Sequence, residues 1–232
     1  MMASTLAVVS GGLDSTVAAF VANERSGPVD FVLSVDYGQR HRKELEFSRL
    51  VAAQLGSEYI QLDLREVGNR LAASGTALLG GTEVPEGHYA EESMRSTVVP
   101  NRNMILMSVA AGVALSAGCD RITLGVHAGD HFIYDDCRPQ FIELVEKTIR
   151  AGTGSELSVF APFLERDKSY IVREGARLGV HMENTWSCYV GGETHCGKCG
   201  TCVERIEAFI LAGVPDPTEY LDTSFAKERT GL

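Results

Sequence analysis

No stretch of the 232-residue sequence is apolar for long enough to cross a bilayer. The longest greasy run, residues 104–117, covers 14 positions and is interrupted by Ser108, Gly112 and Ser116, whereas a spanning helix needs about 20. Basic charge is also scarce: 21 Lys+Arg stand against 31 Asp+Glu, a formal net charge of −10. A surface of that sign repels phosphodiester backbones, which argues against nucleic acid as a partner. There is no basic n-region at the start, and residues 6–9 are too few for a signal h-region, so the expected location is the cytoplasm, with no membrane partner. Six cysteines are too few for a disulfide scaffold in a chain of this length. Two nucleotide signatures are missing as well. The sequence contains no G-x-G-x-x-G, and its glycine-rich turn near residue 11 is not followed by Gly-Lys-Ser/Thr.

What is present is an ordinary globular composition, 44% hydrophobic and 22% charged, which excludes disordered, collagen-like and coiled-coil chains. Apolar runs at residues 6–10, 31–35, 59–62, 121–126 and 159–163 read as buried strands. Between them lie helical patterns at 15–23, 47–55, 106–117, 141–149 and 168–178. In the second of these Phe47, Leu50, Val51 and Leu55 share one face. In the third the face is Leu106, Val109, Ala110, Val113, Ala114 and Ala117. Strands alternating with helices imply βαβ units, hence an α/β fold with a doubly wound parallel sheet. Residues 74–99, with five glycines or prolines between 75 and 87 and no sustained period, read as a lid or a surface insertion. The expected organisation is an ATP-binding α/β domain over residues 1–183. A small four-cysteine segment with a closing helix over 201–211 fills residues 184–232.

Two motifs carry chemistry. Ser10-Gly11-Gly12-Leu13-Asp14-Ser15 sits where the first strand turns into the first helix, the position at which a doubly wound sheet opens a crevice. Glycines let backbone N–H groups approach an anion, and Ser15 and the helix N-terminus add donors. Without the Walker lysine the loop suits pyrophosphate better than γ-phosphoryl transfer, and Asp14 is suited to hold Mg²⁺ or to orient a donor. The second motif is Cys188-x7-Cys196-x2-Cys199-x2-Cys202. Four thiolates at this spacing close a tetrahedral shell around Zn²⁺ and leave no open position, so the metal reads as structural. They also suit an iron–sulfur cluster, and the lack of any other sign of redox chemistry favours zinc. His195, beside Cys196, reads as a bystander.

The loop S-G-G-L-D-S resembles the pyrophosphate-loop signature of the ATP pyrophosphatases, which adenylate a substrate oxygen and release pyrophosphate. The likeness then becomes more specific. Asp36-Tyr37-Gly38-Gln39-Arg40-His41, Val99-Pro100-Asn101-Arg102-Asn103, Gly125-Val126-His127-Ala128-Gly129-Asp130, Asp136-Cys137-Arg138, Thr185-Trp186-Ser187-Cys188-Tyr189 and the tail from His195 to Cys202 resemble, in order, the QueC family of 7-cyano-7-deazaguanine synthases. The resemblance implies an adenine-nucleotide alpha-hydrolase-like fold and a homodimer. It also implies an ATP-dependent ligase that converts a 7-deazapurine acid, 7-carboxy-7-deazaguanine, and ammonia to a nitrile through adenylated acid and amide. Nucleotide contacts are expected along Val8, Val9, Ser10, Gly11, Gly12, Leu13, Asp14, Ser15, Thr16, Val17 and Ala18, and at Tyr37 and Gln39. Asp14, Ser15, Arg102 and Lys168 are the catalytic candidates. Arg102, His127, Asp130, Asp136 and Arg138 are the substrate candidates, and His41, His127 and His131 are candidates for proton transfer. One departure from the family pattern is Asp135, where Tyr-Pro-Asp-Cys-Arg is usual. It admits an alternative product, an amide or a conjugate to another amine such as a protein amine. A nucleotide-sensing or zinc-knuckle module without catalysis is the competing class, and the intact loop argues against it.

Overall fold

The computed structural model describes residues 4–226. Five parallel strands lie in the order β3-β2-β1-β4-β5: β1 (Thr5–Val8), β2 (Val29–Asp36), β3 (Glu58–Asp63), β4 (Arg121–Thr123) and β5 (Ser158–Phe160). The order runs outward in both directions from β1, so β1 and β4 flank the point where the winding reverses. In such a sheet the ligand crevice opens there, beyond the carboxyl ends.

Strand alternation sorts the core. Leu6 and Val8 of β1 point to one face, with Leu33, Val35, Ile122 and residues of α4 (Arg102–Ser116) and α5 (Pro139–Thr153). Ala7 and Val9 point to the other, against α1 (Leu13–Ser26) and α2 (Glu44–Leu55). On that second side α6 (Lys168–Arg177) packs against α1 and α7 (Gly200–Ala212). The doubly wound α/β architecture expected from the sequence is therefore present. The buried face of α4 is Asn103, Met107, Ala110, Ala111 and Ala114, rotated from the expected one, and Ala117 is exposed. The helix is apolar on most sides and meets both the sheet and α5, so hydrophobicity alone does not set its rotation.

The strands β4 and β5 are shorter than their apolar runs. Strand β4 ends at Thr123, with Leu124 N still donating to Phe160 O of β5 (3.0 Å), and Leu124, Gly125 and Val126 line a cleft. A short helix, α3 (Arg65–Leu71), has only Gly68 buried and so carries no apolar period that the sequence would reveal. Residues 74–99 are anchored. Thr76, Ala77, Leu78, Met94 and Thr97 are buried, and Leu78 accepts a backbone bond from Arg40 (2.8 Å). Gly87 donates to Lys198 O (3.0 Å), and Glu86 bridges Cys199. This segment braces the cysteine knuckle. Of residues 184–232, those at 227–232 lie outside the described residues.

Candidate active site

The loop after β1 holds itself open by its own hydrogen bonds. Ser10 N donates to Ser15 Oγ (3.2 Å), Gly12 N to Ser10 Oγ (3.1 Å), and Ser15 Oγ to Gly12 O (3.3 Å). Gly12 begins α1 without any side-chain cap, so backbone N–H groups of the first turn are left for a ligand. Gly11 adopts φ +97°, and a Cβ there would collide with the Glu44 carbonyl; only glycine allows α2 to lie this close. Gly125 fixes the opposite side, since a Cβ would sit 2.5 Å from Ser15 Cα and 2.6 Å from Ser15 N. Gly125→Ala is expected to push β4 away from the loop. It should cost about 1–3 kcal/mol in urea unfolding and weaken nucleotide binding in calorimetry. An unchanged urea midpoint would show that the loop yields freely.

Beside the loop is a cluster of buried charge. Lys168 is 7% exposed, and its Nζ lies 3.0 Å from Asp14 Oδ2 and 2.7 Å from Glu204 Oε2. Burial alone would depress the ammonium, but these carboxylates raise its pKa above the ordinary lysine value. For Asp14, burial opposes ionisation, and Lys168 and His127 overcome it, so its pKa is lowered. His127 is fully buried. Its Nδ1 accepts from Gly129 N (3.1 Å), which leaves the ring proton on Nε2. That nitrogen faces Asp14 (3.8 Å), Asp130 (3.6 Å) and Glu204 (3.7 Å). Burial disfavours its imidazolium, yet the three carboxylates raise its pKa on balance.

Loop and cluster border a cleft whose empty volume, open solvent included, is about 1110 Å³. Its apolar floor is Leu33, Val35, Leu106, Leu124 and Val126, and its deep wall includes Tyr37, His41, Glu44, Arg102, Tyr134 and Tyr189. Arg102 opens α4 behind Asn101, a non-glycine residue at φ 57°, a conformation asparagine tolerates better than most. Its guanidinium lies 5.7 Å from the Tyr134 ring centre. Burial pushes the Tyr37 hydroxyl up to about 12 and, with Arg102, holds His41 down at about 3, so His41 is a neutral ring.

The four cysteine sulfurs all lie within 4.8 Å of one another, and the Cys196 and Cys202 sulfurs are 3.9 Å apart. A tetrahedral ion with metal–sulfur bonds of about 2.3 Å needs sulfurs about 3.8 Å apart. Backbone N–H groups of Lys198 (3.4 Å) and Cys199 (3.3 Å) point at the Cys196 sulfur, and that of Cys196 at the Cys188 sulfur (3.4 Å). Such donors favour thiolates. The cluster could therefore hold a metal. His195 is not among the sulfurs. Its Nε2 accepts from Ser187 N (3.1 Å), and its ring lies 4.2 Å from that of Trp186. The knuckle meets the loop directly, because Trp186 N donates to Gly11 O (2.9 Å).

A family model described as "Queuosine biosynthesis protein QueC" matches residues 4–213. The chain belongs to the QueC family. Among its relatives is a "7-cyano-7-deazaguanine synthase" of Paracoccus denitrificans (strain Pd 1222), 50% identical over 97% of this chain and 96% of the relative. Another of the same name, from Rhizobium meliloti (strain 1021), is 51% identical over 98% of this chain and 96% of that protein. A solved structure of NMN synthetase from Francisella tularensis superposes with a TM-score of 0.52 at 14% identity, covering 99% of this chain and 85% of that one. At that identity the likeness concerns the fold alone.

The fold of this QueC-family chain gathers some of the sequence candidates and disperses others. Val8, Val9, Ser10, Gly12, Leu13, Asp14, Ser15, Tyr37, Arg102, Asp130 and Lys168 line the cleft. Thr16, Val17 and Ala18 are buried in α1. Gln39 is 1% exposed and spends its amide within the protein: Oε1 accepts from Tyr37 N (3.0 Å), and Nε2 donates to Val35 O (3.2 Å) and Glu44 Oε1 (3.0 Å). Asp136 Oδ2 accepts from Asn103 N (3.0 Å) and so caps α4. Arg138 is at the surface, paired with Asp135 (2.7 Å) and donating to His131 O (3.1 Å). Glu44, Glu204, Tyr134 and Tyr189 were not among the candidates. Tyr134, Tyr189 and Glu204 lie in or beside the motifs read from the sequence, Tyr189 next to Cys188 and Glu204 two residues after Cys202, whereas Glu44 opens α2 outside all of them.

Proposed function

We propose that the chain is an ATP-dependent ligase that converts 7-carboxy-7-deazaguanine and ammonia to 7-cyano-7-deazaguanine. The observation that carries this reading is the single cleft uniting the self-braced loop of residues 10–15 with Asp14, Lys168 and Arg102. The family membership and the relatives' names support it.

A carboxylate is a poor electrophile, so one of its oxygens attacks the α-phosphorus of ATP and pyrophosphate leaves. Ammonia then displaces AMP and forms the amide. In a second round the amide oxygen is adenylated, and loss of AMP with the nitrogen-bound protons leaves C≡N. Both rounds call for the same cradle. In this reading the loop N–H groups and Ser15 hold the leaving pyrophosphate, Lys168 balances the charge that develops on it, and Arg102 receives the substrate carboxylate. Mg²⁺, when bound with ATP, would supply further charge neutralisation on the phosphates, with Asp14 and Asp130 the residues of the cleft that would hold it. For the cysteine site we favour zinc in a structural role. A cluster carries several atoms inside its cysteine shell and needs a wider cage than sulfurs all within 4.8 Å. A cytoplasmic homodimer acting on a free base, without nucleic acid, completes the reading.

The test is a mass-spectrometric product assay with 7-carboxy-7-deazaguanine, ATP, Mg²⁺ and ammonium, following AMP alongside. Nitrile with AMP release is the expected result. Amide accumulation, or the base attached to a protein amine, would favour the alternative product that Asp135 raises. Against that alternative, Asp135 is exposed and neutralised by Arg138 outside the cleft lining. AMP-free binding of ATP would indicate a sensor.

A further inference from the structure

Three acidic residues line the cleft: Asp14, Asp130 and Glu44. The first two face Lys168 or His127. Among the described residues Glu44 has no lysine or arginine within ion-pair distance, and Arg102 acts on it only from farther off. The Glu44 side chain is 8% exposed, and the nearest basic group is the neutral ring of His41, 3.6 Å from Oε1. Burial pushes the Glu44 carboxyl up to about 8, which marks a carboxylate with too few donors for its depth. Oε1 accepts from Gln39 Nε2, and among the described residues Oε2 has no hydrogen-bond donor.

The group is nonetheless held in one orientation. Because Gln39 Oε1 accepts a backbone N–H, its amide cannot be reversed, so its nitrogen must donate to both Val35 O and Glu44. A favourable interaction with the N-terminus of α2 does not account for this. Glu46, in the same first turn, supplies that charge at the surface, and the dipole requires neither burial nor a brace.

A carboxylate offers two oxygens and about four acceptor sites. It is complemented by two parallel N–H donors, as in carboxylate–guanidinium pairs. A guanine-type ring presents that pattern, a ring N–H beside an exocyclic amine. Arg102, also on the deep wall, is complementary to an acid substituent on the same molecule. We propose that Glu44 recognises the donor edge of the guanine-like ring, with Gln39 as the positioning residue that aims it. This rests on the substrate reading given above, and it adds Glu44 to the substrate candidates Asp130 and Asp136 read from the sequence.

The experiment is calorimetric titration of the full chain with 7-carboxy-7-deazaguanine, with its analogue lacking the exocyclic amine, and with ATP. Glu44→Gln keeps the shape, exchanges one acceptor oxygen for an amide donor and is expected to retain the urea midpoint. It should weaken the acid roughly 10- to 100-fold, the loss for hydrogen bonds to a charged group, and leave ATP affinity unchanged. Deleting the amine should weaken binding to the wild-type chain by about tenfold and to Glu44→Gln hardly at all. If Glu44→Gln does not fold, Glu44→Asp, which withdraws the carboxylate by one methylene, should lose the acid by a similar factor. Equal loss of both ligands in the variant, or loss of ATP in place of the acid, overturns the assignment. Wild-type binding of the acid with no effect of either variant overturns it while leaving the substrate reading intact. A wild-type chain that binds ATP but not the acid overturns both.

Discussion

Lys168→Met is expected to cut turnover severely and to be the most destabilising single substitution beside the loop. The ammonium is the common partner of Asp14 (3.0 Å) and Glu204 (2.7 Å), and all three are largely out of water. Removing it leaves two buried carboxylates with the His127 ring and, for Asp14, the more distant Arg205 as their basic neighbours, and breaking a buried ion pair from one side costs about 3–5 kcal/mol. The pH dependence distinguishes this from simple loss of packing. In the wild-type chain the Asp14 pKa is lowered, so its contribution is complete above the unfolded value and is lost as pH falls through the folded one. Without Lys168 the burial of Asp14, which raises its pKa, loses its chief opponent, and stability is lost as pH rises through the ordinary carboxylate range. Urea midpoints of the two proteins should therefore converge only below the ordinary carboxylate range and separate towards pH 7. Turnover should fall by about 10²–10³-fold even where the variant is folded, as for other preorganised charge-stabilising donors. Lys168→Arg should recover much of the stability and little of the rate, since a planar fork does not fit a site formed around a point charge. A constant stability gap across pH would show that the network carries no net charge coupling.

The residues of that network also show what could be read in advance. The loop and the four cysteines were legible because their chemistry depends on local spacing: consecutive N–H groups must converge on one anion, and C-x-x-C repeats must bring sulfurs together. The parallel sheet was legible from alternating strand and helix periods. The rest of the site depends on topology. Glu44 opens α2, Glu204 lies inside α7, and Tyr134 precedes a short 3₁₀ turn. They meet only because β1 and β4 are neighbours and α7 returns beneath the loop. The same reasoning explains the candidates found elsewhere. Asp136 and Arg138 share a sequence stretch with Cys137, which lines the cleft, yet one caps α4 and the other faces solvent. Gln39 follows β2 as a nucleotide contact would, but its amide is consumed by the backbone and by Glu44.

Metal removal is expected to act at a distance, through the segment that joins the knuckle to the loop. Helix α7 has Cys199 as its N-cap and contains Cys202 in its first turn, with Glu204 two residues further on. Release of a tetrahedral ion forfeits binding energy that amounts to about 10–16 kcal/mol in small zinc modules. Four closely packed thiolates cannot keep their spacing without it. The start of α7 should then fray, carrying Glu204 away from Lys168. The turn that sets Trp186 N on Gly11 O should loosen with it. Trp186 is the single tryptophan of the chain and is 3% exposed, against His195 and Phe47. Its emission should therefore shift to the red as a chelator extracts the metal. ATP affinity should fall in parallel, by about tenfold or more for the loss of one charge-assisted contact, although no cysteine lines the phosphate loop itself. Cys202→Ser should reproduce both changes without chelator, and readdition of Zn²⁺ to the wild-type chain should reverse them. Release of metal with unchanged tryptophan emission and unchanged ATP affinity would show that α7 holds its place without the ion. The fully buried Arg205 would then be its anchor, through its bonds to Thr185 Oγ1 (2.7 Å) and Met182 O (3.0 Å).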